Sequence, residues 1–118
     1  MRRKFIICFF LLLILLLNSF TSIVKSQPNE IKRFAVLFYD ESDAYISLVK
    51  KALEEIQQLN HDKVEFIYYD AANNQGVQNQ QLELALRDKV DGLLVNIVDY
   101  NKSQSLVNRA KENNIPII

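Results

Sequence analysis

The feature that most constrains the fold is an unbroken apolar run at residues 34–39, which ends in the acidic turn 40–43. Such a short run without polar alternation is typical of a β-strand that is buried on both faces. Ser42 and Asp43 each have a short side-chain oxygen that can N-cap a helix. The sequence therefore predicts a strand, a polar turn and a helix in immediate succession.

The same unit recurs along the rest of the chain. Further strands are predicted at residues 64–70 and 93–98, and a fourth begins at residue 115. Three helices with apolar stripes lie between them. The stripes comprise Tyr45, Leu48, Val49, Ala52, Leu53, Ile56 and Leu59 in the first, Leu82, Ala85 and Leu86 in the second, with Val90 just beyond it, and Leu106, Val107 and Ala110 in the third. This alternation predicts an α/β fold, a doubly wound parallel sheet in the order 2-1-3-4.

The predicted topology also indicates where a ligand would bind. In an open parallel sheet, ligands bind beyond the carboxyl ends of the strands, where the strand order reverses. Here that point lies between strands one and three, at Asp43, Tyr45 and Asn96. A carboxylate, an aromatic ring and an amide suit a neutral ligand with many hydroxyls and one apolar face, such as a sugar. The alternatives are that Asp43 only caps its helix, that Tyr45 belongs to the core, and that Asn96 bonds a neighbouring loop.

Two turn residues have predicted local roles. Gly76 follows the second strand and is expected to supply a positive φ. Asn101 is a candidate N-cap for the third helix. The single histidine, His61, is interpreted as a loop residue because no partner for catalysis or metal binding lies near it in the sequence.

The N-terminus has the three parts of a secretory signal. Basic residues 2–4 precede the apolar run 5–17, and small or polar residues lead to a predicted cleavage near Ser26. Residues 27–32 are then a linker, and residues 33–118 form one domain. The alternative is an uncleaved membrane anchor.

Charge and cysteine content narrow the function classes further. Four of the 14 basic residues and none of the 14 acidic residues lie in residues 1–26, so the remainder has a net charge of −4. A mildly acidic, exported domain argues against nucleic acid as a partner. The only cysteine is Cys8, in the predicted signal, so the remainder has no disulfide.

The sequence contains no enzyme signature. Its two glycines do not form a phosphate-binding loop, and no His, Cys and Asp set has metal-ligand spacing. Asp40, Asp70 and Asp99 each end a predicted strand, as in the acidic pocket of receiver domains. The export signal weighs against that interpretation, and we predict a protein that is not an enzyme.

From about residue 32 onward the chain resembles the N-terminal lobe of the periplasmic galactose/glucose-binding proteins, the type I sugar receptors of ABC importers. Four stretches carry the resemblance in order: FAVLFYDESDAYISLVKKALEE, DAANNQGVQNQQLE, LLVNIVD and NRAKENNIPII. The resemblance implies that Asp43 and Asn96 bind sugar hydroxyls and that Tyr45 stacks on the pyranose ring. It also implies importer membrane subunits, and in some relatives a chemoreceptor, as partners.

The family has two lobes, whereas this chain ends within the first. The second lobe would contribute its own sugar contacts and, in some relatives, a calcium site, so no cofactor is expected in this part. One lobe provides only part of the sugar contacts and cannot close over the ligand. We therefore expect this chain alone to bind galactose or glucose with a dissociation constant weaker than about 10 µM. The expected location is the periplasm or the outer face of the cell membrane.

Two other classes share the predicted fold. A membrane-anchored sensor or chemoreceptor-input domain would keep residues 2–23 uncleaved. The effector domain of a transcription repressor would need a DNA-binding helix-turn-helix where this chain has its predicted signal. Cleavage of the signal distinguishes the leading interpretation from the sensor.

Overall fold

The computed structural model describes residues 30–118, so the predicted signal and residues 27–29 of the predicted linker lie outside the described residues. Strands and helices alternate as the sequence predicts. In chain order they are β1 (Lys32–Phe38), α1 (Ala44–Leu59), β2 (Val64–Asp70), α2 (Gln75–Arg87), β3 (Gly92–Val95), a 3-10 turn (Tyr100–Lys102) and α3 (Ser103–Glu112). Within the described part of the chain, none of these helices has the length and apolar character to cross a membrane.

The three strands form one parallel sheet in the order β2-β1-β3. Phe34 in the central strand lies opposite Phe66 on one side and Gly92 on the other. The predicted fourth strand joins the sheet beyond β3 only as a parallel bridge between Leu93 and Ile117. The α/β class and the predicted strand order are confirmed.

The central strand β1 is buried on both faces, as its unbroken apolar run predicts. Ala35 and Leu37 point to the face that α2 and α3 cover, whereas Val36 and Phe38 point to the face of α1. All four side chains are at most 3% exposed. The second helix also buries its predicted stripe, since Leu82, Ala85 and Leu86, with Val90 just beyond the helix, lie in the core.

The predicted stripe of α1 is only partly correct. Ile46, which the stripe omitted, is the one fully buried side chain of the helix. Val49 and Leu53 are partly buried against the sheet, but the rest of the large side chains in the stripe are exposed. These are Tyr45, Leu48, Ile56 and Leu59. One helix contacts the sheet along only part of its circumference, so the remaining apolar side chains are not covered by it.

Three local predictions are wrong. Positive φ angles after β2 occur at Ala72 and Asn73, at 45° and 56°, rather than at Gly76, which lies inside α2. Asn101 does not cap α3, which starts without a side-chain cap; its backbone N–H instead donates to Asp99. Strand β3 stops at Val95, so that the turn begins earlier than residue 98.

Candidate functional site

Asp43 holds the start of α1. Its Oδ1 accepts hydrogen bonds from the backbone amides of Tyr45 at 2.8 Å and Ile46 at 3.1 Å. Its Oδ2 accepts one from the hydroxyl of Tyr39 at 2.6 Å. The bond from Tyr39, followed by the amide of Ile46, lowers the pKa of Asp43, because these donors favour the charged carboxylate. The helix-cap interpretation of Asp43 is therefore correct, and the structure leaves its predicted ligand role open.

Tyr39 links the two predicted ligand turns, and sequence reasoning missed it. Its backbone N–H points to Oδ1 of Asn96 at 3.4 Å, while its hydroxyl donates to Asp43. The hydrogen bond to Asp43, together with burial, raises the pKa of the Tyr39 phenol. The only signal in the sequence is that Tyr39 ends the apolar run 34–39 with a hydroxyl group. The run as a whole was predicted to be a buried strand, so this hydroxyl was not considered as a hydrogen-bond donor.

Tyr45 lies in the first turn of α1 with 70% of its side chain exposed, which rules out the core interpretation. Its ring borders a cleft of about 410 Å³ between α1 and β3, and Asn96 borders the same cleft. The other lining residues are apolar and come from β1, α1, β3 and Ile118. An aromatic face and a primary amide thus meet at one opening.

Asn96 immediately follows β3. Its backbone N–H donates to the carbonyl of Leu37 at 2.9 Å and so extends the β1–β3 pairing by one residue. Its side chain is exposed, apart from the long contact with Tyr39. The amide therefore remains available to a ligand. The long contact with Tyr39 partly supports the alternative that Asn96 bonds a neighbouring loop.

The three aspartates at the strand ends have local structural roles. Asp40 accepts from the amide and hydroxyl of Ser42, and Asp99 accepts from Asn101. Asp70 accepts from the amides of Glu41 and Ala72, which ties the two neighbouring turns together. Within residues 30–118, no group of three or more His, Cys, Asp or Glu residues is placed to hold a metal ion.

Asp43, Tyr45 and Asn96 thus lie at the same edge of the sheet, and Tyr39 contacts the first and the last of them. A carboxylate has about four lone-pair positions, and Asp43 uses three of them within the protein, so it can accept about one more hydrogen bond. Asn96 can both donate and accept, and the Tyr45 ring offers an apolar face. This set suits an uncharged molecule with several hydroxyls.

Relatives of known structure and function agree with this architecture. Residues 34–118 match the family model described as periplasmic binding protein domain. The chain is 28% identical over 86 residues to the D-galactose/methyl-galactoside binding periplasmic protein of Haemophilus influenzae, covering 73% of this chain and 26% of that protein.

Several solved structures are similar in fold, and two illustrate the likeness. One is a solute-binding protein of an ABC transporter from Bacillus halodurans with bound myo-inositol, at a TM-score of 0.69 and 29% identity, covering 75% of this chain and 30% of that one. The other is a periplasmic solute-binding protein of an ABC transporter from Actinobacillus succinogenes with bound D-allose. Its TM-score is 0.66 and its sequence identity 20%, and the match covers 73% of this chain and 30% of that one. The chain thus spans less than a third of the length of these relatives. The match of residues 34–118 to the family model shows that the chain belongs to the periplasmic binding protein family.

Proposed function

We propose that this chain is part of an exported solute-binding protein that binds a monosaccharide, galactose or glucose, for an ABC-type importer. The observation that carries the proposal is that Tyr45 and Asn96 line one cleft at the sheet edge where the strand order reverses, while Tyr39 bonds both Asn96 and Asp43. The relatives support a cyclic polyol as ligand, since they bind galactosides, myo-inositol and allose.

Each of the three residues has a distinct part in this proposal. The Tyr45 ring stacks on the C–H face of the sugar, because apolar C–H groups pack well on an aromatic surface. Asn96 exchanges hydrogen bonds with adjacent hydroxyls, and Asp43 accepts one from a further hydroxyl through its remaining lone pair. Because Asp43 is also the helix cap, the sugar would be bound by a carboxylate whose direction the protein already fixes.

The test is a titration of the full chain, labelled with ¹⁵N, with galactose, glucose, myo-inositol and allose in turn. We expect amide shifts confined to residues 40–46 and 96–99, largest for galactose or glucose, with dissociation constants weaker than about 10 µM. Tyr45→Ala should abolish the response. A matched control is Tyr100→Ala, because Tyr100 is similarly exposed, at 82% against 70%, but does not border the cleft.

Two outcomes would contradict the proposal. The first is that no sugar shifts these amides at about 100 mM, a concentration that detects even very weak binding. The second is that Tyr45→Ala and Tyr100→Ala respond to sugar equally.

A further inference from the structure

Gln78 is a fully buried polar side chain at the end of the first turn of α2. Its Nε2 donates to the backbone carbonyl of Asn96 at 2.9 Å, and its Oε1 accepts from the backbone N–H of Val98 at 3.1 Å. A buried carboxamide needs partners for both its donor and its acceptor. Gln78 finds both on the turn that carries a predicted ligand residue.

The location explains why this turn needs a side-chain partner. The last backbone bond that ties it to β1 runs from Asn96 N–H to the Leu37 carbonyl. The register of β1 with β3 ends at Leu37 and Val95, although buried backbone groups beyond it still require hydrogen bonds. Gln78 therefore supplies one acceptor and one donor where the sheet itself stops.

A second glutamine on the same helix strengthens the connection. The Oε1 atom of Gln75 accepts from the backbone N–H of Asp99 at 2.8 Å. The position of both glutamines depends on Asn74, whose side chain caps α2 by accepting from Val77. The N-terminal half of α2 thus holds the turn at Asn96, Val98 and Asp99.

We propose that Gln78 is a positioning residue of the ligand site, which fixes the backbone of residues 96–98 and through it the direction of the Asn96 amide. This inference rests on the proposed sugar-binding function. Gln78 itself is buried and would not contact the sugar. Its effect on binding would be indirect, because a hydrogen-bonding group must already be correctly oriented to contribute fully to affinity.

The first experiment needs no sugar. Hydrogen exchange of the Val98 amide is measured by NMR in the full chain and in the Gln78→Met variant. Methionine keeps the volume and removes both hydrogen bonds. We expect exchange at Val98 to accelerate at least about tenfold relative to the β1–β2 amides, since its acceptor is lost.

The matched control is Gln81→Met on the same helix. The Nε2 of Gln81 donates to the carbonyl of Asp70 at 2.7 Å, at the end of β2 rather than β3. This variant should leave exchange at Val98 unchanged. Equal exchange at Val98 in wild type and Gln78→Met would overturn the proposal.

A second variant separates positioning from general destabilisation. In Gln78→Glu, an ionised carboxylate still accepts from Val98 but cannot donate to the Asn96 carbonyl, whereas a protonated carboxyl can do both. Burial favours the protonated form, so protection of Val98 and the shift of the Asn96 side-chain amide should recover between about pH 7.5 and about pH 5. Wild type should show no such change, and failure to recover at low pH would overturn the proposal even if Gln78→Met does not fold.

The last arm tests the link to ligand binding through a galactose titration of the same proteins. We expect Gln78→Met to weaken binding about tenfold and Gln81→Met by less than about twofold. An unchanged affinity in Gln78→Met, with exchange at Val98 accelerated, would contradict the positioning role. If wild type responds to none of galactose, glucose, myo-inositol and allose, the proposed function fails, while the exchange data still decide whether Gln78 holds the turn.

Discussion

The two faces of the sheet are packed to different extents. On one face, α2 and α3 pack on the sheet, and helices and strands together contribute to a cluster of ten buried side chains that includes Leu37 and Leu93. On the other, α1 alone covers Val36, Phe38 and its own Ile46 as fully buried residues. Most of the structure's packing stability should therefore come from the α2–α3 face.

The candidate site lies across this boundary. Asp43 and Tyr45 belong to the start of α1 on the less packed face, whereas the turn of Asn96 is bonded to α2 on the densely packed face. Tyr39 contacts both halves. The comparison indicates that one half of the site is held by a helix cap and the other by a buried core helix.

The largest expected effect is the difference between leucines on the two faces. Leu93 is 1% exposed in the α2–α3 cluster, and Leu93→Ala should reduce the free energy of unfolding by about 2–5 kcal/mol through lost burial and a cavity. Leu48 in α1 is 67% exposed, and Leu48→Ala should change it by less than about 0.5 kcal/mol. Urea unfolding followed by circular dichroism measures both, and equal losses would refute the comparison.

A smaller effect is expected at Gly92, where β3 passes close to an aromatic ring on the α1 face. A Cβ on Gly92 would lie 2.8 Å from Cδ1 of the Phe34 ring, which itself packs on Phe66. Gly92→Ala should therefore cost about 1–3 kcal/mol, because the ring has to move. In Gly76→Ala the nearest atom is the Asn74 side-chain oxygen at 3.2 Å, and gain in helix propensity should keep the change within about 1 kcal/mol. If both substitutions are neutral in urea unfolding, the face is looser than the structure shows.

The smallest effect concerns the cap that anchors α1. Since the pKa of Asp43 is lower in the folded than in the unfolded state, its contribution to stability is present above the unfolded pKa, about 4, and is lost as the pH falls through the folded value. Asn can still cap the helix but does not titrate. The urea midpoint of wild type should therefore exceed that of Asp43→Asn by more at pH 7 than at about pH 3. An equal gap at the two pH values would show that Asp43 is not held as a carboxylate.

Sequence patterns predicted most of the fold because its elements depend on local periodicity. The apolar run of β1 and the stripe of Leu82, Ala85 and Leu86 each required burial, and the structure buries them. The stripe of α1 was less informative, because periodicity shows that a helix is amphipathic without showing how much of its apolar face a neighbour covers. Leu48 is exposed for this reason.

Site residues were harder to predict when their role depends on distant backbone. Gln78 lies among several glutamines and asparagines in residues 73–81, and nothing local marks it as the one that is buried. Ala72 and Asn73 adopt positive φ although Gly76 follows closely, because the turn after β2 is set by two hydrogen bonds from backbone N–H groups. The Ala72 N–H donates to the Asp70 carboxylate, and the Asn73 N–H donates to the Tyr39 carbonyl. Asp43, Tyr45 and Asn96 could be selected because strand order alone identifies the edge where they lie.

The most direct test of the account is whether the two turns form one site. In the ¹⁵N-labelled full chain, galactose should shift the amides of Tyr45 and Ile97 with the same midpoint. Substituting Asn96→Ala should weaken both responses to the same extent, because a single sugar contacts both turns. A Tyr45 response that stays unchanged in Asn96→Ala would contradict the account and show that the turns do not share a ligand.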